Sequence, residues 1–449
     1  MSETTKELKA QRRLSRGNNK LVFTIISILL GLIVGAIVLL ASGYNPLEAY
    51  KALYEGVVKS PRHMGWAIVN STPIILTGLG VCFAFKTGLF NMGAEGQFIM
   101  GSVIGFLLGY KVALPLVIHP IVTIIVAMIV GALFGAIAGF VKAKFGIHEV
   151  ISTIMLNWIA FYYSNYLAHK YIRPNSMATY DVLDSAKITL FTKQAAKNMG
   201  PFFSKFFKAP IHWGTILAII AVIVVWYILN KTVLGYELKA VGLNREASQY
   251  GGINSGKKIV QSMAISGAIC ALAGVTQILG YNYAISVTSA MDNYGFDGLA
   301  VSLLASNNPI GVIFSGLFFG SLKYAGANLQ RTLGVPSELI NIIIGTIILF
   351  TAVPLVFRII KAKRKNRKTK KAVAKEAELE KNKVKNSLEK ESKAIPINEI
   401  KEEKEFKESI SQDIKEEKVE NIDKVSKSSN IINETGEDII VRTIESEEE

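Results

Sequence analysis

Apolar runs of about 20 residues recur through the first three quarters of this chain, and a helix of that length crosses a bilayer. Only helices and closed barrels satisfy their backbone polar groups in lipid. The runs are too long and too continuous for barrel strands, which are shorter and alternate in polarity. With 50% hydrophobic residues and a mean hydropathy of +0.34, the 449-residue chain is predicted to be an all-α protein, a polytopic membrane helical bundle.

The pattern predicts about ten membrane segments, of which the eighth is short enough to be a half-helix. They lie near residues 21–41, 66–85, 88–109, 115–141, 148–168, 211–230, 258–281, 296–306, 310–328 and 337–357. Lysine and arginine favour the cytoplasmic side of short loops. Basic clusters mark alternate loops and both ends, at 12–20, 86, 142–144, 231–258 and 358–371. We therefore predict a multi-pass protein of the bacterial inner membrane with both termini in the cytoplasm.

Composition divides the chain into three parts. Residues 1–20 are basic and are predicted to be a cytoplasmic N-terminal segment, and residues 21–357 form the transmembrane domain. Residues 358–449 hold 22 of the 35 acidic residues, and such a segment has too little apolar surface to offset its ordering entropy. We predict a charged, disordered cytoplasmic tail. The apolar run from residue 21 exceeds the roughly 7–15 residues of a signal-peptide core, so we expect it to be an uncleaved span.

Two stretches, residues 88–97 and 295–309, set acids, amides and glycines at membrane depth. A carboxylate at the bilayer centre costs about 2.5–3.5 kcal/mol or more unless it faces a partner or a water-filled cavity. Broken helices commonly build the sites of transport proteins. We therefore predict that both stretches line a path for a small polar solute. The candidate path residues are Asn91, Glu95, Gln97, Asp297, Asn307 and Asn308.

Each of these side chains could instead be structural, with Glu95 and Asp297 capping a helix or bonding a neighbouring amide. Asn70 and Asn157 are weaker candidates, because single amides inside spans more often join neighbouring helices. Lys323 could reach an interface or pair with an acid.

The sequence contains no recognisable catalytic, cofactor-binding or metal-binding motif. Residues 251–258 nearly match a phosphate-binding loop, but Lys258 replaces the serine or threonine that would hold magnesium, and a span follows directly. Cys82 and Cys270 lie inside apolar runs and the five histidines are scattered. We predict a transport subunit rather than an enzyme, with no cofactor and no nucleic-acid partner, because the basic charge reports topology.

Residues 231–257 form a long charged loop on the predicted cytoplasmic side. Its apolar side chains recur near helical spacing on either side of Gly242 and Asn244, which predicts two short helices with a turn between them. Such a loop can dock into a groove of a partner protein, and it can equally be a connector on the membrane surface.

Three segments taken together resemble one family. They are residues 88–97 (GLFNMGAEGQ), 235–253 (GYELKAVGLNREASQYGGI) and 295–309 (GFDGLAVSLLASNNP). In this order they are similar to the signatures of permease subunits of ABC importers of the branched-chain amino acid and simple-sugar class, and most similar to the nucleoside-type subgroup. The resemblance covers about residues 21–357, and the tail departs from the family pattern.

The resemblance implies a permease domain that pairs with an identical or homologous second permease. Separate ABC ATPase subunits drive such a dimer, an extracytoplasmic binding lipoprotein supplies it, and the solute, here a nucleoside, enters the cytoplasm by alternating access. Residues 231–257 would be the loop that couples the permease to the ATPase. The coupling residues that the resemblance assigns are Gly242, Leu243, Asn244, Ala247 and Gly252.

Other interpretations stay open from the sequence alone. A simple sugar or a branched-chain amino acid fits the same class. An ion-coupled secondary transporter fits the intramembrane acids, with Glu95 or Asp297 as the relay. The residues do not distinguish a homodimer from a heterodimer, and they assign no role to the tail.

Overall fold

Helices make up most of the part of the chain that the structure describes. The computed structural model describes residues 28–190, 200–336, 338–346, 349 and 350. In chain order the helices are α1 (Ile28–Ala41), α2 (Pro46–Val58), α3 (Pro61–Phe85), α4 (Ala94–Lys111), α5 (Ile118–Phe145), α6 (Glu149–Lys170), α7 (Pro201–Phe206), α8 (Trp213–Lys231), α9 (Val233–Leu243), α10 (Arg245–Tyr250), α11 (Ser255–Gln277), α12 (Tyr294–Leu304) and α13 (Pro309–Leu333). Residues 338–346 are also helical.

The predicted all-α membrane bundle is confirmed, and its division into ten segments stays a prediction. Among the described residues, five helices are long and apolar enough to cross a membrane: α3, α5, α8, α13, and α11 extended to Asn282. Helix α5 exposes a stripe of large apolar side chains at four-residue spacing, with Ile121, Ile125, Ile129 and Leu133 each more than half exposed. A water-soluble surface rarely carries such a stripe, whereas lipid is its natural solvent. The chain is therefore a multi-pass membrane protein.

Helix α11 is the centre of the bundle and packs against α3, α4 and α5. Glycines at these contacts let backbones meet. A Cβ atom on Gly274 would lie 1.9 Å from the carbonyl oxygen of Phe98, and one on Gly131 would lie 2.2 Å from the Cβ of Ala271. Close backbone packing of this kind holds helices together in lipid, where apolar burial offers little gain.

One predicted segment is shorter as a helix than predicted, and another is a half-helix. The segment predicted at 88–109 becomes helical only at Ala94, because residues 86–93 are turns and irregular backbone in which Gly88 has a φ of +71°. Helix α12 has 11 residues, which at about 1.5 Å per residue is near half of the bilayer core. It agrees with the predicted half-helix. Between α11 and α12 the chain forms a π-helical turn, Ile278–Asn282, and then runs without helix to residue 293.

The sequence did not predict α2. This helix begins at Pro46 after Asn45, whose side chain accepts a hydrogen bond from the backbone N–H of Leu47 at 3.0 Å. It carries Glu48 and Lys51 and has only 13 residues, so it lacks the long apolar run by which spans are recognised.

The bundle has two ends, which we call the loop end and the far end. At the loop end, Gly242 of α9 lies beside residues 86–88, and α10 follows α9 in the chain. At the far end, residues 171–190 contact the π-helical turn and the residue after it, with Ile188 N–H donating to Leu279 O and Val182 N–H donating to Tyr283 O. The predicted N-terminal segment and the predicted tail lie outside the described residues.

Candidate functional site

Side chains from another helix hold the break between α3 and α4. The N–H of Phe90 donates to Glu149 Oε1 at 3.1 Å, and the N–H of Gly96 donates to Asn157 Oδ1 at 2.8 Å. Asn157 Nδ2 also donates to the carbonyl of Met92 at 2.8 Å. Buried backbone groups within a bilayer need protein partners, and α6 supplies them. The interpretation of Asn157 as an amide that joins neighbouring helices agrees with these bonds. The sequence analysis missed the role of Glu149 in holding the break.

Asn91 and Gln97 bond to each other inside this break. Asn91 Nδ2 donates to Gln97 Oε1 at 2.9 Å and to Ser266 Oγ at 2.7 Å, while Asn91 Oδ1 accepts from the N–H of Gly93 at 3.0 Å. Both amide side chains are buried. In this structure the two side chains satisfy each other's hydrogen-bonding groups, and Asn91 also satisfies the backbone N–H of Gly93 in the turn before α4.

Glu95 connects the first break to the second. Its side chain is buried, and its two oxygens accept the N–H groups of Asn293 at 2.9 Å and Gly295 at 2.5 Å. These amides belong to the start of α12, where a helix has N–H groups without intrahelical partners. A Cβ atom on Gly295 would lie 2.2 Å from the backbone nitrogen of Glu95. Glu95 therefore caps α12 from α4, and the glycine permits the contact.

Asp297 lies one turn further along α12 and pairs with Lys323 of α13. Asp297 Oδ2 and Lys323 Nζ are 2.6 Å apart, and the lysine also donates to the carbonyl of Asp292 at 3.2 Å. The Asp297 side chain is 22% exposed and the Lys323 side chain 35%, so this acid remains accessible whereas Glu95 does not. Of the two possibilities for Lys323, the structure favours pairing with an acid.

Asn307 and Asn308 lie at the opposite end of α12. Asn307 has a φ of +53°, and its Oδ1 accepts the hydroxyl of Ser302 at 2.8 Å. Asn308 Oδ1 caps α13 by accepting the N–H of Ile310 at 3.1 Å. Asn308 also lines an open cavity of about 1040 Å³ at the loop end, which Lys239 lines as well.

The six predicted path residues lie at several places along the two breaks. Asn91 and Gln97 bond to each other beside Ser266 of α11, Glu95 contacts the start of α12, and Asp297 lies one turn into α12. Asn307 and Asn308 follow the end of α12, about 16 Å away at 1.5 Å per residue. A second cavity, of about 230 Å³, opens toward the far end beside Phe98 and Gln277. The sequence analysis missed this cavity, although an amide within the apolar run of α11 was a signal that could have indicated it.

The loop between α8 and α11 has the two short helices that the spacing predicts, α9 and α10. Asn244 caps α10 by accepting the N–H of Ala247 at 2.8 Å, Leu243 is 88% exposed, and Gly252 has a φ of +81°. A Cβ atom on Gly242 would lie 2.6 Å from the carbonyl oxygen of Lys86. The loop therefore contacts the turn from which the first break begins.

Comparison with known proteins agrees with this architecture. A family model described as branched-chain amino acid transport system / permease component matches residues 65–352. The chain is 39% identical over 349 residues to the guanosine ABC transporter permease protein NupP of Bacillus subtilis, and this aligned region covers 77% of this chain and 97% of NupP. It is 35% identical over 360 residues to the nucleoside ABC transporter permease protein NupB of Lactococcus lactis, covering 80% and 98% of the two chains.

A third relative has a different named solute. The chain is 30% identical over 330 residues to the glucose ABC transporter permease protein TsgB13 of Haloferax volcanii, covering 73% of this chain and 85% of the relative. The family resemblance drawn from the three sequence segments is thus confirmed. The chain belongs to the branched-chain amino acid transport system permease family, and it is a membrane permease subunit of an ABC transporter rather than an enzyme.

Proposed function

We propose that this permease imports a nucleoside into the cytoplasm by alternating access. The observation that carries the proposal is the meeting of two broken helices at Glu95, between a cavity that opens toward the far end and a cavity at the loop end. Broken helices near the bilayer midplane are a recurrent way to build a transport site. The names of NupP and NupB support a nucleoside as the solute.

The proposed topology has about ten membrane segments with both termini in the cytoplasm. The long helices α3, α5, α8, α11 and α13 would be joined by α1, α4, α6, the half-helix α12 and the helix at residues 338–346. Basic side chains favour a cytoplasmic location for the loop end. Lys86 follows α3, Lys142 lies in the last turn of α5 and Lys231 ends α8, and lysines favour the cytoplasmic side of short loops.

The solute would pass along α12, whose two ends lie near the two cavities. Between them the helices are in tight contact: a Cβ atom on Gly298 would lie 2.4 Å from Thr77 Oγ1. These contacts form a closed layer between the two cavities, and the helices must separate there for a solute to pass. We propose that Asn91, Glu95 and Gln97 hold the closed layer and that Asp297, Asn307 and Asn308 line the route when it opens.

The proposed energy source is a separate ABC ATPase docked on α9 and α10. Leu243 and Tyr250 are 88% and 95% exposed, and large apolar side chains so exposed commonly mark a protein interface. Gly242 touches the Lys86 turn, so movement of the loop would reach the first break directly. Asn244, Ala247 and Gly252 would shape this coupling surface. The remaining proposed partners are a second permease, identical or homologous, and an extracytoplasmic substrate-binding lipoprotein.

Uptake by cells tests the function. Deleting the gene for this chain should abolish the ATP-dependent uptake of labelled guanosine, and a plasmid copy should restore it. Uptake should persist when an uncoupler removes the proton gradient. Unchanged guanosine uptake after deletion would refute the nucleoside assignment, and loss of glucose or leucine uptake instead would reassign the solute.

A glycine pair tests the coupling loop. Gly242→Ala should lower guanosine uptake at least tenfold at equal membrane abundance, because its Cβ atom would meet the Lys86 carbonyl at 2.6 Å. Gly251→Ala is the matched control, since its Cβ atom would lie no closer than 3.4 Å to the nearest atom. Equal uptake by the two variants would contradict the coupling role.

A further inference from the structure

The smaller cavity, of about 230 Å³, has a mixed polar and apolar wall. Helices α4 and α6, the π-helical turn and residues 284–292 enclose it. Asn165 of α6 holds the last of these, because its amide donates to the carbonyl of Thr288 at 3.1 Å and accepts the N–H of Thr288 at 3.0 Å. Within the described part of the chain, none of the six predicted path residues lines this cavity.

Gln277 lines this cavity and has an unused, buried acceptor. Its side chain belongs to a residue that is only 4% exposed, and its Oε1 has no hydrogen-bond partner among the described residues. A buried acceptor left unpaired costs about 1–3 kcal/mol. Native proteins rarely retain one unless water or a ligand supplies the donor. When the Gln277 side chain turns toward the cavity, a donor on a bound solute would satisfy its Oε1.

The backbone of α11 changes at the same place. Gln277 is its last α-helical residue, and the π-helical turn Ile278–Asn282 follows at once. Turns of this type occur frequently at functional sites. Asn282 also lines the cavity, and residues five apart are joined by the i→i+5 hydrogen bonds of a π-helix. The wider turn therefore sets two amide side chains on one wall.

The remaining wall residues indicate the class of solute. Phe98 and Phe161 supply aromatic surface, and Ser102 and Ser164 supply hydroxyl groups. No lysine or arginine occurs among the lining residues of the described chain, so a carboxylate or phosphate would lack the cationic partner that binding such anions usually requires. The volume is below the roughly 300–1,000 Å³ of pockets for drug-sized ligands. Asp292 adds one carboxylate to the wall, which also favours a solute that carries hydrogen-bond donors. A small solute with a flat ring, several donors and no negative charge matches this wall.

We propose that this cavity is where the permease holds the nucleoside during import, with the Gln277 amide as its buried polar contact and Phe98 and Phe161 against the base. The inference rests on the proposed function and adds the site within the chain. A base or ribose donor would pair with Gln277 Oε1, and a solute without one would leave it unsatisfied.

Two matched glutamine variants test the contact in cells that carry the complete transporter. Gln277→Met removes the amide at similar volume, and Gln261→Met makes the same change in α11 at another unpartnered buried Oε1 outside this cavity. We expect Vmax/KM for guanosine uptake to fall about tenfold in the first variant, as loss of one hydrogen bond predicts. The second should stay within twofold of wild type. Equal effects of the two would overturn the site.

Ligand protection gives a second readout on the purified transporter. Ser164→Cys places a thiol on the wall, while Cys82 and Cys270 are buried. Guanosine should slow labelling of that thiol by N-ethylmaleimide at least fivefold, and free ribose at the same concentration should not. Absence of protection, or equal protection by ribose, would overturn the assignment. If wild-type cells import guanosine while these tests fail, the inference alone is wrong; if they import none, the proposed function is wrong.

Discussion

Replacing Glu95 by glutamine should loosen the start of α12. The carboxyl group accepts two backbone N–H groups, from Asn293 and Gly295. A glutamine keeps one acceptor oxygen but points its NH₂ group at the other N–H, which leaves a buried donor without a partner. Such a donor costs about 1–3 kcal/mol. Glu95→Ala removes both acceptors and should cost about twice as much.

Hydrogen exchange measures this cost at the place where it arises. Local opening should become roughly 5–150-fold more frequent for a loss of 1–3 kcal/mol. In detergent or nanodiscs, a peptide that covers residues 290–298 should therefore exchange faster in Glu95→Gln than in wild type. Peptides from α5 should be unchanged, because that helix does not provide either hydrogen bond.

A second glutamate provides the matched control. Glu55 lies on α2 and pairs with Lys59 at 3.1 Å, with its side chain 39% exposed. Surface pairs of this kind contribute about 0–1 kcal/mol, so Glu55→Gln should leave exchange of residues 290–298 unchanged. If Glu95→Gln also left it unchanged, Glu95 would not be holding α12, and its role as a cap would be refuted.

Two further predictions concern packing and charge. Gly274→Ala should lower the thermal midpoint of the purified protein, because its Cβ atom would lie 1.9 Å from the Phe98 oxygen and such overpacking costs about 1–3 kcal/mol of folding free energy. Gly256→Ala in the same helix has no atom nearer than 3.7 Å to its Cβ atom and should be neutral or stabilising. Equal midpoints for the two variants would contradict this packing. In a double-mutant cycle, Asp297→Asn and Lys323→Met should show a coupling of about 1 kcal/mol for their partly exposed pair, whereas additive losses in thermal unfolding would mean that the 2.6 Å contact contributes nothing.

Much of the framework could be predicted because its signals are local. The apolar runs indicate spans by their length alone, and the two short helices of the coupling loop follow from spacing around Asn244. The start of α4 was predicted too early, at residue 88 instead of Ala94, because the turns before it are also apolar. Hydropathy records the cost of exposing a residue to lipid and does not record whether its backbone is helical.

The sequence by itself determined that this chain is a membrane helix bundle with polar breaks inside the bilayer. Lipid penalises each unpaired backbone group and each exposed charge, so these features can be recognised residue by residue. The tertiary structure decided which polar groups meet. Glu95 reaches amides about 200 positions away along the chain, and Gln277 lines a cavity whose walls come from four separate segments. A carboxylate that caps a distant helix and one that faces a solute have the same local sequence, so only folding distinguishes them.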